Sequence, residues 1–401
     1  MVQLQGQTGG PNLPGRRRLS EAEVSILLDN HARFLAGKGG KRAQLPFVDF
    51  RGMDLKGRRL SGADFSGSVF DGAILAGAQL DGANLSGCDL RRADLRNANL
   101  RKADLRGASM SGANLAGADL TEADFRPGHV ARPHPTKGFP AVIEEGRGGE
   151  LDGAILSGAT LDGSRLDGIY AADTDFSDAS LTGVWLADAN LKGANFDGAL
   201  MAGANVSGAS LENANFGGAD LSGVVLTTAR THGCRLEVAA QPPTREDVAR
   251  AAKLVIEARA HDAWVGSGGK TGAPTRFDSS DLRPAGSELR GLKLTALSAK
   301  GANLAGVDLT EAHLQGANFE NADLRGAKLR SCDLRGARFG GADLTRADLT
   351  EANLTPLEIA PGRSTATVLT GARLRYACLT GARMEGAVTE GADLRGARLP
   401  A

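Results

Sequence analysis

The stretch Ala73-Ile74-Leu75-Ala76-Gly77-Ala78-Gln79-Leu80-Asp81-Gly82-Ala83-Asn84-Leu85-Ser86-Gly87 decides the fold. A large apolar residue stands at every fifth position. The same beat runs from Phe50, Leu55, Leu60, Phe65 and Phe70 on to Leu120 and Phe125. With that residue as i, position i−2 is usually Ala, i−1 is Asp or Asn, and i+2 is commonly Gly. The unit reads A-(D/N)-L-x-G. A period of five matches neither an amphipathic helix nor an alternating strand. It matches a short extended piece followed by a corner. In the extended piece i−2 and i point the same way, so Ala and Leu face inward and Asp or Asn faces out. Gly at i+2 supplies the backbone freedom that the corner needs.

The phenylalanines give the number of sides. Phe50 and Phe70 lie four units apart, as do Phe176, Phe196 and Phe216 in turn, and Phe319 and Phe339. Bulky residues recurring every four units stack in one column if each coil has four sides. The expected fold is therefore an all-β solenoid, a right-handed quadrilateral parallel β-helix with short capping and inserted α-helices. One coil buries too few large side chains to offset the ordering of its backbone, so coils fold only by stacking on neighbours. Outward pairs such as Asp71 with Arg91 and Asp81 with Arg101, both at i+1 on successive coils, are expected as exposed ion pairs.

Composition agrees with a narrow tube. The chain has 401 residues with 55 Gly and only 4% aromatic residues, too few large side chains for a wide core. Its 47 basic and 47 acidic residues cancel, so overall charge points to no nucleic acid and no strongly acidic partner. Four Cys make no disulfide framework. Arg16, Arg17 and Arg18 are followed by no apolar run, and no long apolar stretch exists. A cytoplasmic protein without membrane contact is the expectation.

Six segments follow from the pattern. Residues 1–45 hold a tail and a capping helix, opened by Ser20 and Glu23 in capping-box spacing. Residues 46–126 form the first repeat block. Residues 127–150, with Pro127, Pro133, Pro135 and Pro140, read as an exposed loop insertion. Residues 151–236 form the second block. Residues 237–286 carry an inserted helix with Thr244 as N-cap, then a linker that opens the second half. Residues 287–401 form the third block, with a bulged turn near Pro356 and Pro361. The two helical stretches match: His31-Ala32-Arg33-Phe34 and Gly39-Gly40-Lys41 correspond to His261-Asp262-Ala263-Trp264 and Gly268-Gly269-Lys270. Each is followed by repeats, near Leu45 and Phe277, so the chain reads as a duplication. A helix over the first coil hides an unpaired sheet edge. The last coil shows no such cover, and either Pro400 blunts it or a second copy pairs with it as a homodimer.

With the A-(D/N)-L-x-x unit established, the chain resembles the bacterial pentapeptide-repeat family. That resemblance implies the quadrilateral β-helix and little about function. The best understood members mimic DNA and bind type II topoisomerases such as DNA gyrase. This sequence departs from that subgroup in charge. Residues 50–125 hold 10 basic and 10 acidic residues, and only residues 151–236 are acidic, with 10 acidic and 4 basic. A duplex surrogate presents one negative charge per about 1.7 Å, or about eleven over four coils. The net charge of the second block falls short of that.

No catalytic, cofactor or metal residues emerge. His129 and His134 lack a Cys, Asp or Glu at ligand spacing beside them. His31 and His261 read as half-buried capping residues. Cys88, Cys234 and Cys332 occupy i−2 and are expected inside; Cys378 occupies i−1 and is expected outside, with no His partner. The glycine-rich run from Gly266 to Lys270 has Trp264 where a phosphate loop needs Gly. Arg91, Arg96, Arg101 and Arg106 are consecutive i+1 residues, expected one per face. The best interaction signal is Tyr170, Trp185, Leu200 and Val225, apolar side chains at outward i−1 sites, with Trp185 and Val225 expected on one face. The reading is a non-enzymatic scaffold that binds a protein partner, with no direct nucleic-acid contact. The alternative is a DNA mimic that protects or inhibits gyrase.

Overall fold

A computed structural model describes residues 16–133, 142–236 and 243–400, with side-chain surroundings described outside 129–146. The chain forms two compact units, Met1–Gln241 and Pro242–Ala401.

In the first unit the expected four-sided coil is present. Parallel bridges join Asp49 to Val69, Asp54 to Ile74, Arg59 to Gln79 and Asp64 to Asn84, giving four ladders that continue coil after coil. Each bridge falls on an i−1 residue, the middle of the extended piece. The residue at i donates to the carbonyl of the i−1 residue one coil on, as Leu75 N to Asp94 O at 2.7 Å. The i+2 residue then takes positive φ. Gly fills most of these corners, and where it does not, other residues take the same conformation, among them Arg92, Asn97, Lys102 and Glu122 at φ of 55–59° and Asp173, Asp178, Asp188 and Asn213 at φ of 53–62°. Inside, Ala at i−2 and Leu or Phe at i are buried coil after coil up to Leu221, and the last coil is open, with Leu226 partly buried and Leu236 exposed. Phe50 and Phe70 stack with centroids 4.7 Å apart, and Phe176, Phe196 and Phe216 form a continuous stack at 5.0 Å steps.

Outward Asp and Asn do more than face water. The Oδ1 of Asp64, Asn84, Asp94 and Asn99 accepts the backbone N–H of the residue two positions on, at 3.1–3.2 Å. This closes the corner as an Asx turn, a role that Ala cannot fill.

The N-terminal cover is two-part. Strand β1 (Arg17–Arg18) pairs in parallel with β2 (Val48–Asp49). Helix α1 (Glu21–Leu35) follows Ser20, whose side chain and that of Glu23 form a reciprocal capping box, and buries Val24, Leu28 and His31. The segment expected to be a loop at 127–150 instead contains an antiparallel pair, β3 (Gly128–Pro133) with β4 (Val142–Arg147). It leaves the wall after Phe125, and Ser109 bridges Glu150 where Asp89 had bridged Ser109. Two blocks separated in sequence are thus one continuous β-helix, with the hairpin as an excursion from its wall.

The second unit repeats the plan. Helix α2 (Arg245–Gly266) starts from a capping box of Thr244 and Asp247. The ladder begins before the expected position 287: Arg276 bridges Ser298 and Asp281 bridges Asn303, with Phe277 and Leu282 buried. A 3-10 turn, Arg283–Ala285, widens that first coil, which hid its spacing from a strict five-residue count. The bulged turn near Pro356 is a short antiparallel hairpin, β5 (Leu357–Ala360) with β6 (Arg363–Thr365). Thr367 Oγ1 bridges the interruption by accepting from Gly336 N at 2.9 Å and donating to Leu334 O at 3.1 Å.

Candidate interaction surface

The outward ladders decide what the first unit can present. Arg165, Trp185 and Asn205 follow one another on one ladder, and Glu150, Tyr170 and Asn190 on another. Leu200 belongs to a third, between Ser180 and Asp220. The four apolar residues singled out in the sequence are therefore not brought together. Trp185 is 46% exposed, Tyr170 52% and Val225 62%. Leu200 is only 9% exposed, and its ladder neighbours Ser180 and Asp220 are buried with it, so it offers little surface. Val225 falls beyond Asn205, where no bridge continues the ladder.

Trp185 does have a partner that a search for outward apolar residues passes over. The Arg165 guanidinium carbon lies 5.1 Å from the Trp185 ring centroid. Arg165 Nε also donates to Asp167 at 2.9 Å, which fixes the cation over the ring. Position 165 is one coil before 185 on the same ladder, 20 residues apart within the second block, so the spacing was there to be read and the outward Arg was simply not set beside the Trp. The cation–π contact leaves a flat, half-exposed aromatic–guanidinium pair on a ladder whose neighbouring rungs are Asp124 and Asn205.

The basic residues of the first block do lie on separate ladders, but they pair locally. Arg91 binds Asp89, Arg96 binds Asp94, and Arg106 binds Asp104, each through a fork of Nε and a terminal nitrogen at 2.6–2.9 Å. Asp71 pairs with Arg92 rather than Arg91, and Arg101 reaches Asp119 rather than Asp81. Where an Asp stands two residues before the Arg the pair across the corner forms, and where Leu90 or Asn99 stands there instead, Arg92 and Arg101 reach a carboxylate on an adjacent coil. The clearest case is Asp49, 2% exposed, whose partner is Arg51. Burial pushes the Asp49 carboxyl up, but the side chain and backbone N–H of Arg51 outweigh it and hold the group below the usual carboxylate range.

The other candidates are structural. His31 and His261 are fully buried rather than half-buried. His31 Nδ1 accepts the backbone N–H of Ala43 at 3.1 Å, and His261 Nδ1 accepts that of Thr275 at 3.0 Å. Each histidine ties its helix to the first coil. Burial chiefly pulls the His31 imidazole below its ordinary value. Cys88 and Cys332 are buried and donate to carbonyls 23 residues back, at 3.0 and 2.9 Å, and burial pushes both thiols up to about 12. Cys234 is half-buried with the same contact, to Leu211 O at 3.0 Å. Cys378, expected outside, is half-buried between Thr350 Oγ1 at 3.3 Å and Thr380 Oγ1 at 3.5 Å. His134 lies outside the described residues, and nothing is described of the His129 side chain. Among the described residues no group of three or more His, Cys, Asp or Glu is placed to hold a metal ion. No described helix is long and apolar enough to cross a membrane.

A wall that turns every fifth residue, with its core filled by Ala and Leu, defines a solenoid of five-residue units. The model for pentapeptide repeats matches in 8 copies, over residues 42–87, 88–126, 154–193, 189–227, 287–326, 322–355 and 367–400. The chain belongs to the pentapeptide repeat family. Among solved structures it is similar to QnrB1, a plasmid-mediated fluoroquinolone resistance protein, at 19% identity over 48% of this chain and 89% of that one, with a TM-score of 0.36. It is also similar to HetL, involved in heterocyst differentiation regulation in the cyanobacterium Nostoc, at 22% identity over 91% of this chain and 93% of that one, TM-score 0.20. Rfr23 from the cyanobacterium Cyanothece is 32% identical over 32% of this chain and 86% of that one, TM-score 0.20. No curated protein matches the chain in sequence comparison.

Proposed function

We propose that this protein is a non-enzymatic scaffold that presents the Arg165–Trp185 ladder of its first unit to a protein partner. The observation that carries the reading is the pair itself: an indole 46% exposed, with a guanidinium held 5.1 Å from its centroid, on a rigid wall. Trp and Arg dominate the energetics of protein interfaces because both offer large contact area with few freedoms to lose. The ladder holds them in place before any partner arrives, so little ordering is required on binding. Tyr170 offers a second, separate aromatic on the neighbouring acidic stretch.

The gyrase-directed alternative asks for unpaired carboxylates in a continuous run. Local Asp–Arg forks at Asp89, Asp94, Asp104 and Asp124 neutralise the first block, which weighs against that reading.

The test is a comparative pull-down with the full chain, Trp185→Ala, and Gln79→Ala on a different ladder. A partner retained by the full chain and by Gln79→Ala but lost from Trp185→Ala supports the proposal. Equal retention by all three overturns it. A gyrase supercoiling assay with the protein added is expected to show no change, and dose-dependent inhibition or protection would favour the alternative.

A further inference from the structure

The two units carry the same joint between helix and first coil, and they fill it differently. His31 accepts from Ala43 N as His261 accepts from Thr275 N. The coil register fixes the remaining equivalences. Leu45 N donates to Asp64 O as Phe277 N donates to Ser298 O, and Gly62 N donates to Asp81 O as Ala296 N donates to Gln315 O. Gly40 and Gly272 also correspond: both have positive φ, and a Cβ on either would strike a helix carbonyl, that of Asn30 or of Ala260. Arg42 thus corresponds to Pro274, Gly62 to Ala296, and Phe34 to Trp264.

In the first unit the Nε of Arg42 donates to the carbonyl of Gly62, so a guanidinium closes the joint. Pro274 has no donor to offer. In the second unit the same place is an open cleft of about 270 Å³, lined by His261, Trp264, Pro274, Thr275, Arg276 and Ala296 among others. The Ala296 carbonyl, counterpart of Gly62's, accepts no hydrogen bond from the described residues.

We propose that this cleft binds a guanidinium group from outside the chain, in the position that Arg42 takes in the first unit. The Ala296 carbonyl supplies the acceptor. Trp264 supplies an indole face, the best aromatic partner for a cation, where the first unit has Phe34. The C-terminal end of α2 supplies partial negative charge, because Trp264 lies near the end of that helix. No basic residue occupies the last turn of α2, whereas α1 has Arg33 there. Two cations stand nearby, Arg276 on the wall and Lys293, whose ammonium approaches Gly266. Two carboxylates on adjoining segments are engaged by other groups. Asp278 accepts from Ser298 Oγ at 2.5 Å, and Asp262 accepts from Lys293 N at 2.8 Å. The lining includes Arg276 and no carboxylate, so the carbonyl, the indole and the helix end must hold the planar cation without a lining counter-ion. The proposed site lies wholly within the second unit and stands apart from the Trp185 surface.

The chain has two Trp, so Trp185→Phe leaves Trp264 as the one indole. That protein is titrated with free L-arginine, with acetyl-Gly-Arg-Gly-amide, and with acetyl-Gly-Gln-Gly-amide, and Trp264 emission is followed. A saturable change with the arginine probes and none with the glutamine peptide is expected. A tighter response to the peptide identifies a chain-borne arginine as the ligand, and an equal response identifies the free amino acid. Pro274→Arg, which refills the joint as Arg42 does, should weaken binding at least about tenfold. Trp264→Leu, read by calorimetry, should lose it as well, so a poorly folded Pro274→Arg does not leave the question open. No saturable response to about 10 mM of either arginine probe would overturn the proposal. So would an equal response to the glutamine peptide, or unchanged binding in both variants.

Discussion

Arg91 forks onto Asp89, two residues earlier in its own unit, with Nε at 2.7 Å and a terminal nitrogen at 2.6 Å from the carboxylate oxygens. The same carboxylate accepts the Arg91 backbone N–H, so one side chain closes the corner and anchors the cation. Wherever the text Asp-Leu-Arg appears in the first block, as at Asp94 and Asp104, this fork recurs. It explains why a chain with many arginines on its walls shows balanced faces rather than a basic stripe.

The fork's worth depends on how buried its carboxylate is. Arg91 is 52% exposed, so Arg91→Ala should cost less than about 1 kcal/mol after solvent screening. Asp49 is 2% exposed, and Arg51→Ala strips a buried carboxylate of its cation. That change should cost about 2 kcal/mol, since an unsatisfied charged group bears its full desolvation penalty. Urea unfolding of the two variants measures the order, and equal losses would show that burial of Asp49 does not matter.

The core column gives a larger effect. Phe196 lies between Phe176 and Phe216, with interplanar angles of 2° and 5° and centroid steps of 5.0 Å. Phe196→Ala opens a cavity that rigid coils above and below cannot collapse into, and should cost about 3–5 kcal/mol. Phe196→Leu keeps most of the volume and should cost markedly less. Denaturant unfolding followed by circular dichroism checks both. A small loss in Phe196→Ala would mean the stack contributes little.

The five-residue beat and the 20-residue recurrence of Phe were sufficient to read coil, sides and inward residues, because a narrow tube admits one large side chain per wall. The paired helices were equally legible from Ser20 with Glu23 and Thr244 with Asp247. Other features were hidden by breaks in that beat. The hairpin after Phe125 hid the continuity of the first two blocks, where Ser109 bridges Glu150, and the 3-10 turn at Arg283–Ala285 masked the first coil of the second unit. Leu200 shows the limit of pattern reading, since it holds an outward position and is still only 9% exposed between the buried Ser180 and Asp220. The guanidinium cleft depends on the difference between Arg42 and Pro274, visible only once the two joints are placed in register.

Corner residues offer a test of backbone strain. Lys102 holds φ of 55°, in the left-handed region, where a Cβ costs about 1 kcal/mol relative to Gly. Its exposed ion pair with Glu122, at 3.4 Å, returns at most about that much. Lys102→Gly should therefore leave stability unchanged or slightly raised, by thermal melting. A loss above about 1 kcal/mol would mean that the pair outweighs the strain.

The N-terminal cover should be acid-sensitive. His31 accepts the Ala43 N–H only when Nδ1 is unprotonated, and burial pulls its pKa below the ordinary imidazole value. The unfolded segment binds a proton more readily than the folded one. The contribution is therefore full above the ordinary value of about 6.5 and is lost as pH falls through it toward the folded value. Hydrogen exchange should show α1 amides losing protection between pH 7 and about pH 5, relative to coil amides of residues 60–120, once intrinsic rates are corrected. Parallel behaviour of the two sets would remove His31 as the cause.

Thiol reactivity should separate the four cysteines by position. Cys88 and Cys332 are walled into the core, with thiols pushed up to about 12, so they should resist alkylation until the chain unfolds. At Cys378 burial pushes the thiol up, but the Thr350 and Thr380 hydroxyls outweigh it and bring the group below its ordinary value. Reactivity follows thiolate fraction and access, so Cys378 should be modified first, ahead of Cys234, whose thiol burial pushes up. Timed labelling in native buffer followed by peptide mass spectrometry gives the order. Early modification of Cys88 or Cys332 would show that the coils open locally on the labelling timescale, and that the tube is less rigid than its packing implies.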